Sequence, residues 1–149
     1  MSPQRKQRGR SGCPLNISLE LFGDRWTLLI VRDLMFKGAH TFQDFMGGGE
    51  GFATNILTDR LELLLNYDVI DKVRMASDRR KFIYRLTSKG IDLAPVLVDL
   101  MVWAARYETT GAKRVSIWQM KHNREDFLSA VRVRWNVERR RLDREKANG

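Results

Sequence analysis

The chain has little of what builds disulfide-rich, membrane-spanning or metal-dependent proteins. Only one cysteine, Cys13, occurs in 149 residues, so no internal disulfide framework can form and a reducing, cytoplasmic compartment is expected. The two histidines, His40 and His122, have neither the spacing nor the partners of ligands, and no metal site or other cofactor is expected. No apolar run is long enough to span a bilayer; the stretch over residues 94–105 is broken by Asp99. The opening MSPQRKQRGRSG is basic, with no apolar region or cleavage site after it, so it does not read as a secretory signal. Catalytic groupings are missing as well. No Ser/His/Asp or Cys/His set lies in a matching context, and the carboxylates are scattered on helix faces, so the chain is not expected to be an enzyme.

Acid is also in deficit. Lys and Arg number 27 against 18 Asp and Glu, a formal charge of +9, and the isoelectric point is about 10.2. A field of that sign selects a polyanion as partner. The length suits one domain with appendages. Residues 1–12, carrying Arg5, Lys6, Arg8 and Arg10 among polar residues, read as a flexible basic arm that cannot bury apolar area. Residues 13–110 read as the domain. Residues 111–149 read as a basic, partly helical extension, since the segment from Lys113 onward holds 11 basic and 5 acidic residues.

Within the domain the apolar spacing changes period in an informative order. Ile17, Leu19, Leu21 and Phe22 suit a short helix ending at Gly23, after which Asp24 is placed to cap a second helix bearing Trp26, Leu29, Ile30 and Leu34. Thr41 is placed to cap a short helix through Phe42, Phe45 and Met46. A further helix is expected over residues 54–66, with Leu57, Leu61, Leu64 and Leu65 on its buried face and Asn55, Thr58, Asp59 and Glu62 on the other. Two β-prone runs, residues 69–74 and 81–86, flank MASDRR and predict a hairpin with a basic tip. Thr87 then starts another helix whose apolar residues, among them Leu97, Leu100, Met101, Trp103 and Ala104, cover more circumference than one neighbour needs. A second copy of the chain is the expected cover. Asn123 is placed to cap a last helix with Phe127, Val131 and Trp135 on one face.

The stretch GGGEGFATNILTDR could cradle phosphates or turn the chain between two helices. A phosphate loop needs Lys followed by Ser or Thr after its glycines, and Glu50, Gly51, Phe52 and Ala53 stand there instead. The glycines read as a turn.

The segments CPLNISLELFGDRWTLLIVRDL, HTFQDF, EGFATNILTDRLELL and YRLTSKG, in that order and at these separations, resemble the HxlR family of bacterial transcriptional regulators over roughly residues 13–107. The resemblance implies a mainly α winged helix-turn-helix fold with a two-stranded wing and dimerisation helices at both ends. It also implies a homodimer that represses or activates transcription on double-stranded operator DNA, with the helix after the glycine turn as recognition helix and the hairpin, residues 70–86, as wing. The chain departs from a common family form where Ala53 stands in place of a serine at the helix start; Thr54 is available to cap instead. Some members sense oxidants or electrophiles through an N-terminal cysteine, and Cys13 with Pro14 matches that position.

Physical chemistry supports the same roles. A reading helix needs an apolar stripe to hold it and a small polar face that fits a groove about 12 Å wide, and Ala53, Thr54, Asn55 and Thr58 supply that face. Asn55 is the expected base contact, because a carboxamide pairs bidentately with adenine. Thr41, Gln43 and Asp59 join the expected DNA surface, as do Arg79, Arg80 and Lys81 at the wing tip, where arginine suits phosphates or a narrow minor groove. Arg60 has two readings, contact with phosphate or guanine and pairing with Asp24 inside the fold. Cys13 likewise reads as an oxidant sensor or as a small residue packing the dimer. Leu15 and Leu19 join the α-helical residues above at the dimer interface. A small-molecule effector has no residue set of its own. In the extension, Trp118, Phe127 and Trp135 are expected to dock on the partner subunit while Arg139, Arg140, Arg141 and Arg144 face DNA, with mobility beyond Leu142; the alternative is that the whole segment is a solvated helix with a frayed basic end. The alternative function is non-specific nucleic-acid binding, architectural or to RNA, distinguished by whether base identity matters.

Overall fold

In the computed structural model, which describes residues 11–147, eight helices and one hairpin follow each other. The predicted arm lies outside the described residues except for Ser11 and Gly12. Helix α1 (Pro14–Phe22) is followed by α2 (Thr27–Phe36), α3 (Phe42–Met46) and α4 (Thr54–Asn66), then by strands β1 (Ile70–Arg74) and β2 (Phe82–Leu86), and by α5 (Ser88–Ile91), α6 (Ala94–Tyr107), α7 (Arg114–His122) and α8 (Arg124–Ala147). The core gathers on α2, whose Ile30 and Val31 are fully buried, with Phe45, Leu57, Leu64, Ile70, Ile91 and Val98 around them. Ile30, Leu57 and Leu64 belong to the apolar stripes expected for α2 and α4, and Val31 adds to the first.

Local chemistry sets the boundaries. Asp24 works from further ahead of its helix than a simple cap: it accepts from the N–H groups of Trp26 and Thr27 at 2.8 and 3.0 Å and from the Thr27 hydroxyl at 2.5 Å, which satisfies a fully buried threonine. Thr41 does cap α3, in a reciprocal box with Asp44. The turn between α3 and α4 takes positive φ at Gly49 and Gly51, values that favour glycine. It does not hang loose, because Arg32 on α2 bridges Glu50 at 2.8 Å while also holding buried Asp33 at 2.7 Å.

The helix expected from Thr87 is two helices. Pro95 has no N–H to give and its ring would collide with the Ile91 carbonyl of a continuous helix, so α5 stops at Ile91 and α6 restarts at Ala94. Thr87 caps α5 by accepting from the Gly90 N–H. At Gly90 a Cβ would lie 2.2 Å from the Val69 carbonyl oxygen, so this contact admits only glycine.

The hairpin pairs Ile70 with Leu86, Lys72 with Tyr84 and Arg74 with Phe82. A third backbone segment joins it where the Tyr84 N–H donates to the His40 carbonyl at 2.7 Å. The same histidine bonds the Tyr84 carbonyl through Nδ1 and Glu138 through Nε2, so the hinge before α3, the wing and α8 meet at one side chain.

The C-terminal segment corrects the sequence reading. Phe127 and Trp135 do not reach for a partner; they pack on this chain's own core beside Val131, and the Trp135 indole N–H donates to the Leu86 carbonyl at 3.0 Å. Trp118 is exposed, with its ring against His122. Asn123 is the single residue between α7 and α8 and its carbonyl accepts from Phe127. Helix α8 continues past Leu142 to Ala147, where mobility had been expected. Its Asp143 meets Arg85 of β2, a guanidinium only 8% exposed that also binds Asp71 at 2.9 Å, and Arg139 completes the group at 2.7 Å from Asp71.

Burial would raise the Asp71 carboxyl, but hydrogen bonds from Arg85 and Arg139 outweigh it and hold the group below its ordinary value. A depressed carboxylate contributes stability that is present above its unfolded pKa, about 3.9, and is lost as pH falls through the lower folded value. Asp71→Asn is therefore expected to cost about 1–2 kcal/mol at pH 7, screened by its partial exposure. Urea unfolding should show that deficit shrinking below about pH 4.

Candidate nucleic-acid interface

Helix α4 presents two unlike faces. Leu57, Leu61 and Leu64 are buried, while Ala53, Thr54, Asn55, Thr58 and Asp59 are all exposed. The short polar side chains stand on the first two turns, where no side chain caps the helix. Ala53 is the N-cap and Thr54 is the first helical residue rather than the cap expected of it. Thr58 turns its hydroxyl onto the Thr54 carbonyl at 2.9 Å. The first-turn N–H groups of α4 are thus open to an external acceptor, and the helix dipole favours an anion there.

Around this helix the other expected residues divide. Gln43 is exposed on α3, whereas Thr41 commits its hydroxyl to capping. Burial would raise Asp44, but the N–H groups of His40 and Thr41 and the Thr41 hydroxyl hold it low, so this turn is charged and fixed. Arg60 lies 3.6 Å from Asp24 and 3.5 Å from Asp59, the intramolecular one of its two readings.

At the wing tip, Arg79, Arg80 and Lys81 are exposed. The Arg80 guanidinium, 92% exposed, lies 3.2 Å from Asp78, and its side-chain and backbone hydrogen bonds keep that carboxyl below its ordinary value. Sequence reasoning missed how far the basic surface extends. Lys72 and Arg74 sit over the Phe82 ring at 4.5 and 4.8 Å, and Lys146 of α8 lines the groove beside them. Alternation along β1 could have revealed the first two, but the third depends on the return of α8. Of the extension's arginines, Arg139 and Arg141 are engaged with Asp71, Glu138 and Glu145, whereas Arg140 and Arg144 are exposed.

The apolar residues expected at a dimer contact are mostly bare. Leu15, Leu19, Leu100 and Trp103 are exposed, joined by Ile17, Val96 and Tyr107, and Met101 and Ala104 are half-buried. Leu97 is a correction: it is 5% exposed and lies in the core, because α6 turns that position toward α2. Cys13, exposed at the N-cap of α1, has its thiol drawn below the ordinary value by the backbone N–H groups of Asn16 and Leu15. Among the described residues no helix is long and apolar enough to cross a membrane, and no group of three or more His, Cys, Asp or Glu side chains is placed to hold a metal ion.

The HxlR-like helix-turn-helix family matches residues 21–112, which hold α2 to α6 with the wing between them. The chain belongs to that family. HxlR-like proteins are transcriptional regulators, not enzymes. The regulator Rv3095 of Mycobacterium tuberculosis is 39% identical over 90 residues, covering 60% of this chain and 56% of that protein, so the chain spans just over half the length of that relative. YodB, an HTH-type transcriptional regulator of Bacillus subtilis, is 28% identical over 104 residues, 69% of this chain and 92% of YodB. Among solved structures, PA1607, described as a candidate transcription factor, gives a TM-score of 0.61 at 36% identity over 70% of this chain and 71% of that one. Reduced YodB gives 0.54 over 65% and 95%. The HxlR match ends before α7 and α8.

A serine at position 53 of this HxlR-like chain would supply the missing cap. Ala53→Ser is expected to raise stability by about 0.5–1 kcal/mol, read as a higher midpoint in thermal or urea unfolding.

Proposed function

We propose that the chain is a sequence-specific transcriptional regulator that binds double-stranded operator DNA as a homodimer. The observation that carries this reading is the uncapped, polar N-terminal half of α4 beside a bare basic wing. In this reading α4 lies in the major groove, with Asn55 on a base edge, Thr54 and Thr58 beside it, and the open N–H groups of the first turn toward phosphate. Arg79, Arg80 and Lys81, extended by Lys72, Arg74 and Lys146, follow the backbone or the flanking minor groove. Gln43 and Thr41 meet the backbone at the start of α3. The protein works in the cytoplasm, where its operator is.

The bare apolar face supports the homodimer. Val96, Leu100, Trp103 and Tyr107 recur along one side of α6, and Leu15 and Leu19 lie one turn apart on α1. Two copies joined through these helices would set two recognition helices on related half-sites.

A second reading concerns Cys13. It is exposed at a helix N-terminus with its thiol drawn toward the reactive thiolate form, and Leu15 and Leu19 follow it on the same helix. YodB has been solved in quinone-bound and diamide-treated forms. We infer that oxidation or alkylation at Cys13 would alter the dimer and thereby DNA affinity.

Binding to DNA from the protein's own upstream region and to a scrambled duplex, titrated at several salt concentrations, tests the main reading. Preference for the native duplex should persist as salt rises, whereas equal and salt-fragile binding to both would mean phosphate attraction alone. Asn55→Ala should weaken the specific complex by about 1–3 kcal/mol and leave random DNA unaffected. Replacing both Arg79 and Arg80 by alanine should flatten the plot of log K against log salt by about 2. Leu100→Glu should shift the sedimentation coefficient to that of a monomer, and an unchanged coefficient would remove the α6 contact. Cys13→Ser should abolish any oxidant-dependent release of DNA.

A further inference from the structure

We propose that the half-open pocket between α2, β2 and α8 is a binding site for a small aromatic carboxylate. Its volume is about 280 Å³, near the lower end for small-molecule sites and suited to a body of one or two fused rings. The inner walls are apolar: Leu34, Leu86, Ile91 and Leu142 are buried around it, and the Trp135 ring lines one side with its N–H already given to the Leu86 carbonyl.

The polar edge states the sign of that guest. Arg85, Arg134 and Arg139 reach the cavity, against Glu138 as the one carboxylate among its lining residues. Arg85 and Arg139 are already matched by Asp71 and Asp143, and Glu138 by Arg141 and His40. Arg134 differs. Its bond is from Nη2 to the Met35 carbonyl at 3.0 Å, and among the described residues it has no carboxylate partner. Its remaining N–H donors form the planar fork that recognises a carboxylate bidentately. Arg134 is exposed, so its remaining donors are hydrated in the free protein, and a carboxylate can replace that water with charge-assisted bonds that a neutral or cationic ligand cannot make.

One wall is α8, which lies outside the family match, and the rest is built mainly by α2, β2 and α5 inside it. The opposite wall is the wing's own strand, and His40 at the edge leads directly into α3. A guest would therefore bear on the elements that carry the DNA-contacting side chains. This coupling rests on the proposed DNA-binding function, whereas binding of the ligand does not.

Titration calorimetry of the full chain with 1-naphthoate, 1-naphthamide and 1-naphthylmethylammonium at constant ionic strength tests the site. Naphthoate should bind saturably with one site per chain, at least tenfold more tightly than the amide, and the ammonium compound should not bind. Arg134→Ala should abolish the preference for the acid while leaving the thermal unfolding midpoint unchanged. Arg140→Ala, on the same helix but not lining the cavity, should preserve it. Absence of saturable binding, equal binding of the three probes, or equal loss in both variants would overturn the proposal. If naphthoate binds as expected but leaves DNA affinity unchanged, the coupling alone is overturned.

Discussion

A guanidinium buried at the base of the wing constrains the rest of the structure. Arg85 is nearly enclosed, and an enclosed charge is tolerated only when paired and hydrogen-bonded. Asp71, its cross-strand neighbour, supplies one carboxylate; Asp143, nearly sixty residues later, supplies another. Through Asp143, α8 reaches the base of the wing, and along the same helix Trp135, Val131 and Leu142 bury apolar surface. What composition marks as a basic appendage thus becomes a wall of the domain, and the space left between wall and strand is the cavity at Arg134.

Helix α4 shows a division of labour between its faces. Leucines at helical spacing hold it to α2, so the outer face is free of structural duties and carries short side chains that can approach DNA closely. Stability is given up at its N-terminus, where alanine occupies the capping position. The same vacancy leaves donors available to phosphate. A residue that looks like a defect by the rules of helix capping is consistent with the DNA-reading role proposed for this helix.

Much of this was legible in the sequence because it is local. Leucine spacing marks α4, alternation marks the wing, and Thr41 followed by Asp44 marks the cap of α3. The helix break at Pro95 was legible in principle, since proline's missing donor and ring volume act on a residue four positions back, but the long apolar run after Thr87 hid it. The exposed apolar residues of α6 were found by excess, and Leu97 was misassigned because an apolar stripe alone does not say which edge of it meets the core. The destination of Phe127 and Trp135 was not legible at all. Their spacing marks an apolar face but does not say whether that face meets its own domain or another copy.

The bridge from Arg32 to Glu50 gives the glycine-rich turn a different character from the one its composition suggests. Such a turn, left untethered, would let the recognition helix sample many orientations, each of which would have to be surrendered on meeting DNA. Tied to α2 through a side chain that also holds buried Asp33, the turn loses that freedom when the protein folds. The entropy of aiming the helix is then a term in folding rather than in association. Loosening the tether should register in the temperature dependence of complex formation before it registers in any contact to a base.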